Sequence, residues 1–158
     1  MEHRLLTGNS LHEPKGVETA TNGQVYVANG AGSGTWRDIA SGNNYLNKFV
    51  IVDSLADVSA PSSIFQVVPN KANLTRIYTV LGGSITTANS VLTIYKNNVA
   101  QTPTITIPFT GSGPGVKTST AISPVIAFAE GDVIEIRSDG GSSGTQTLAV
   151  TLSFVAVN

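Results

Sequence analysis

"TLAVTLSFVAV", Thr147 to Val157, decides the fold. Leu148, Val150, Leu152, Phe154 and Ala156 recur at every second position, with Thr147, Thr151 and Ser153 in the alternate places. A period of two puts these sets on opposite faces of a β-strand, so one face belongs to a core. A parallel sheet covered on both sides would read as an unbroken apolar run, whereas this alternation fits a sandwich of two sheets. Ala149 and Val155 depart from the pattern: both are apolar and both fall on the outward face. Their position is consistent with scattered surface residues and equally with a subunit interface.

Moving outward from this strand, short runs rich in Val, Ile, Thr, Phe and Tyr recur between clusters of Gly, Pro and Asn. They are Phe49 to Val52, Ile64 to Val68, Leu74 to Leu81, Val91 to Lys96, Thr104 to Phe109, Pro124 to Phe128 and Asp132 to Ser138. With the last strand they make about eight, the number in a jelly roll. Asn97-Asn98 reads as a two-residue hairpin loop, because Asn tolerates positive φ. No stretch keeps a helical period over three turns, so the fold class expected is an all-β jelly-roll sandwich. The pattern stops near Asn43 to Tyr45. Residues 46–158 then form the β domain, and residues 1–45 an extended N-terminal arm of low propensity, with no core of its own.

The chain has 158 residues, 9 basic against 10 acidic, and a formal net charge of −1. That balance offers no footprint for nucleic acid or an anionic membrane. Charged residues make up 12% of the chain against about 25% in a typical domain, which suits a surface covered by neighbours. Cysteine is absent, which removes disulfides, thiolate metal sites and cysteine nucleophiles together. The first ten residues lack the apolar stretch of a secretory signal, and the longest apolar run, Pro124 to Ala129, is too short for a bilayer.

A search for chemistry returns little. "GSGPGVKTST", Gly111 to Thr120, fails as a phosphate loop because Val116 separates the glycine from Lys117, and it reads as a glycine-rich connection between strands. "GAGSG", Gly30 to Gly34, misses the dinucleotide spacing. Both histidines, His3 and His12, lie in the front segment, away from any nucleophile with rigid walls. Four acids gather in "AEGDVIEIRSDGG", Ala129 to Gly141, yet Glu130 and Asp132 flank one turn glycine and Asp139 precedes another. Glu135 and Arg137 take the polar alternates of Ile134 and Ile136. No enzyme, cofactor, metal or small-molecule substrate is expected. Few aromatics mark a carbohydrate platform. Trp36, the sole tryptophan, reads as an anchor for a partner or as packing on its own domain.

"HEPKGVETATNGQVYVANGAGSGTW", within Leu11 to Trp36, resembles a segment near the N-termini of structural proteins of tailed bacteriophages. "AFAEGDVIEIRSDGG" followed by "TLAVTLSFVAV" is similar to jelly rolls of the tumour-necrosis-factor and C1q type, used by trimeric phage decoration proteins. These resemblances imply a capsid decoration, or cement, protein. It would be made in the host cytoplasm and sit on the outer surface of the virion head as a homotrimer, its arm lying across the major capsid protein. The arm contacts would be His12, Glu13, Pro14 and Lys15, then Val25, Tyr26 and Val27 on a strand, and Trp36. Ala149 and Val155 would face the trimer. A trimeric tail fibre or receptor-binding protein is the alternative.

Overall fold

The computed structural model describes residues 20–31, 33–38 and 47–157. The chain divides into two units, Met1–Leu46 and Asn47–Asn158. In the first, β1 (Gln24–Ala28) and β2 (Gly34–Asp38) form an antiparallel hairpin. In the second, the described strands are β3 (Lys48–Leu55), β4 (Ser63–Val67), β5 (Ala72–Leu81), β6 (Ser90–Lys96), β7 (Val99–Ala100), β8 (Ile105–Ile107), β9 (Lys117–Phe128), β10 (Val133–Ser138) and β11 (Leu148–Ala156). No α-helix occurs among the described residues, and none is long and apolar enough to cross a membrane.

One sheet runs β3-β11-β5-β9; the other runs β4-β10-β6, with β7 and β8 sharing the far edge of β6. Pro103 lies between those two short pieces, on an edge where a missing N–H breaks no ladder. With β7 and β8 counted as one interrupted strand, the pairing nests: β3 with β11, β4 with β10, β5 with β9, and β6 with β8. The nested pairs alternate between the two sheets. An antiparallel ribbon rolled in this way is a jelly roll.

Every strand expected from the sequence is present. β9 grows the most: it begins at Lys117, so Lys117 to Thr120 is strand, and only the glycine-rich part before it is a connection. Its partner β5 draws it in, with Tyr78 opposite Ser119 and Val80 opposite Lys117. Asn97 and Asn98 have φ of 48° and 66°, the two positive values that a tight hairpin turn of matching twist needs.

The core is set by β11, the second strand of its sheet. Phe154 is fully buried, stacked on Phe49 at 4.9 Å between centroids and edge-on to Phe128 at 5.9 Å. Along β5 the buried positions are Ala72 and Leu74, then Ile77, Thr79 and Leu81, a change of phase. Thr75 absorbs it as a bulge, since Leu74 pairs with Phe154 and Arg76 with Ser153. Its hydroxyl donates to the Ser153 carbonyl oxygen at 3.1 Å. Without that extra residue, one half of β5 would present its polar set to the core.

Replacing Phe154 with Ala is expected to cost about 3–5 kcal/mol in urea unfolding, by lost burial plus the cavity left behind. Val99→Ala, at a position 62% exposed on the edge of the other sheet, is expected to change stability by no more than about 0.5 kcal/mol.

Candidate functional site

Three places carry the candidate function. The first is the hairpin. β1 and β2 join through Asn29, whose Oδ1 accepts the N–H groups of Ala31 at 2.9 Å and Ser33 at 3.2 Å. Tyr26 pairs with Trp36 across the strands, and the two rings meet edge to face at 5.4 Å. A Cβ on Gly34 would strike the Val27 carbonyl oxygen and approach the Tyr26 ring to 2.8 Å, so glycine is required where the strands close. Val25, opposite Arg37, and Val27, opposite Thr35, take the other face, with Val27 at 40% exposure. Trp36 is therefore half-buried against its own hairpin. His12, Glu13, Pro14 and Lys15 lie outside the described residues.

The second place is the outward face of β3-β11-β5-β9. Ala149 is exposed and Val155 half-buried on its central strand, the positions their alternation gave. Cross-strand rows there read Val52–Thr151–Tyr78–Ser119 and Ser54–Ala149–Val80–Lys117. Val50 and Val52 are 59% and 63% exposed on β3. Arg76 stands in the row between Ser153 and Ala121 and donates to the Ser119 hydroxyl at 3.0 Å.

The third place was not legible in the sequence. On the outward face of β4-β10-β6, Phe65, Glu135 and Tyr95 form one cross-strand row, and Ser63, Arg137 and Thr93 the next. Glu135 is only 3% exposed although it points away from the core. Its Oε1 accepts from the Ser63 hydroxyl at 2.7 Å and from Arg137 Nε at 2.9 Å. Its Oε2 is buried and accepts no hydrogen bond from the described residues. A buried acceptor left so costs ~1–3 kcal/mol. The Arg137 guanidinium lies over the Tyr95 ring at 4.2 Å, and Phe65 beside it is 58% exposed.

Burial acts to raise the Glu135 pKa, but the hydrogen bonds from Ser63 and Arg137 and the guanidinium charge outweigh it and hold the carboxyl below its ordinary range. The bond to Glu135 in turn holds Arg137 more firmly protonated. Both groups are charged at neutral pH, and the pair is fixed by cross-strand packing.

Asp132 and Asp139 close turns, as the sequence suggested. Asp132 accepts from Asn97 Nδ2 and from the Ala129 N–H, both at 2.7 Å, and pairs with Lys96 at 3.1 Å. Asp139 Oδ1 accepts the N–H groups of Val91 and Gly141, each at 2.9 Å. Gly131 and Gly140 beside them take φ of 83° and 69°. Among the described residues no three His, Cys, Asp or Glu side chains come together as a metal site.

No protein-family model matches the sequence, and no curated protein matches it. Solved structures similar to it include the native structure of a family 35 carbohydrate-binding module from Clostridium thermocellum. That likeness has 16% identity and a TM-score of 0.45, over 68% of this chain and 92% of the other. The jelly-roll assignment rests on the strand order itself.

Because the folded-state pKa of Glu135 is depressed, its contribution is present above the unfolded value, about 4.3, and is lost as pH falls through the lower folded value. Ser63→Ala is expected to move the Glu135 pKa upward in a carbon-detected NMR titration. Glu135→Gln is expected to flatten the fall of stability below about pH 4.3, measured by urea unfolding across pH.

Proposed function

We propose that this chain is a capsid decoration protein: a trimeric jelly roll on the outside of a phage head, held by its N-terminal segment to the major capsid protein. The observation that carries the reading is the outward face of β3-β11-β5-β9. Val50, Val52, Val80 and Ala149 stand exposed there around neutral Thr151 and Ser153. A face this apolar on a chain with so few charges favours burial against other copies. The hairpin supports attachment, since two strands alone are marginally stable in water and gain order from a host surface. Tyr26 and Trp36 offer that host a rigid aromatic pair.

The mechanism is mechanical. A trimer presents three N-terminal segments, so each contact raises the effective concentration of the next, and a trimer spanning a junction between capsomers adds its binding free energy to the cost of separating them. No proton transfer or bond-making step is involved. The alternative, a fibre or receptor-binding component, draws support from one observation, the exposed Phe65 beside the Glu135–Arg137 pair.

The test mixes the purified full chain with shells assembled from the major capsid protein and counts the copies that pellet. Saturation at a fixed ratio of chains to capsomers is expected. No binding to shells, with binding to host cells, would favour the fibre reading. Among the described residues the buried core cluster lies between Leu55 and Phe154, so removal of residues 1–46 is expected to leave a folded domain that no longer pellets with shells. Trp36→Ala is expected to weaken attachment about tenfold. Emission from this single tryptophan is expected to shift to shorter wavelength when shells are added, and an unchanged spectrum would remove it from the contact.

A further inference from the structure

We infer that the outward face of β4-β10-β6 binds a neutral saccharide, with Glu135 and Arg137 holding adjacent hydroxyls and Phe65 supporting the flat side of the sugar ring. The inference stands whether the chain sits on a head or on a fibre, because it concerns chemistry that the β domain carries by itself.

Hydrogen-bond complementarity selects the ligand. Glu135 Oε2 is a buried acceptor without a donor, while its sister Oε1 already serves Ser63 and Arg137. Arg137 donates through Nε to that carboxylate, its guanidinium lies over the Tyr95 ring, and with its side chain 48% exposed it has further N–H groups to offer a ligand. A ligand seated here must donate to one group and accept from its neighbour. An anion would satisfy Arg137 but be repelled by Glu135, and an ammonium the reverse. A hydroxyl both donates and accepts, and a pair on neighbouring ring carbons presents both functions side by side without net charge.

The surroundings fit the remainder of such a ligand. Phe65 pairs directly with Glu135 across β4 and β10 and is 58% exposed. Val67 and Val133, 59% and 37% exposed, continue the apolar strip in the next row. A pyranose has a C–H underside to lay on that strip and hydroxyls at its rim to meet the charged pair. The pair is held before binding by Ser63 on one side and the Tyr95 ring on the other, so little side-chain ordering remains to oppose association. Oε2 is buried, so a hydroxyl reaches it only if the exposed Phe65 ring beside it swings outward, and that ring stays at the surface to support the sugar.

The test is a nitrogen-15 NMR titration of the full chain with the methyl glycosides of glucose, galactose, mannose and N-acetylglucosamine, each taken separately into the tens of millimolar. At least one is expected to give saturable shifts clustered at Phe65, Tyr95, Glu135 and Arg137. Phe65→Ala and Glu135→Gln are each expected to weaken that binding at least about tenfold, and Phe65→Ala to leave the melting temperature unchanged. Absence of shifts with all four sugars would overturn the inference. So would shifts confined to another surface, or undiminished binding by Phe65→Ala.

Discussion

The stack of Phe154 on Phe49, with Phe128 meeting it edge-on, is the interaction on which the rest depends. It fixes which residues of β11 face inward, and β11 is paired on both sides, with β3 and β5. A slip of one residue would exchange every inward and outward side chain of β11. The bulge at Thr75 shows how tightly that register is enforced: the chain inserts a residue into β5 to keep Leu74 and Ile77 both in the core. What faces outward on this sheet, Val52, Ala149 and Val155 among them, follows from what the aromatic stack holds inside.

The same rule acts on the second sheet with a different outcome. Ile134 and Ile136 anchor β10 in the core, and Glu135 and Arg137 must then point away from it. Outward did not mean solvated, because Phe65 and Tyr95 flank Glu135 from the neighbouring strands. The two outer faces consequently differ in character. One is broad and mostly neutral and lends itself to covering by copies of the chain. The other carries a single fixed charge pair beside an exposed ring, and lends itself to a small polar ligand.

Much of this was legible in the sequence because strand and turn signals are local. The alternation of Thr147 to Val157, the Asn97-Asn98 turn and the turn glycines at 131 and 140 needed no distant partner. Three features did need one. "GTWRD", Gly34 to Asp38, lacks an apolar alternation and becomes a strand by pairing with β1, through Trp36 on Tyr26. Lys117 to Thr120 is polar and is strand because β5 offers it an edge. Glu135 reads as a routine polar alternate, and only the assembled sheet surrounds it with Ser63, Phe65 and Tyr95, residues far away along the chain.

The central claim is that the outward face of β3-β11-β5-β9 exists to be covered by other copies of the chain. Sedimentation equilibrium of the full chain over a wide concentration range tests it most directly. The account predicts a mass three times the 16.3 kDa of one chain, persisting on dilution. A single-chain mass at every concentration would contradict it, and would leave Val50, Val52 and Ala149 as surface residues with no partner among their own kind.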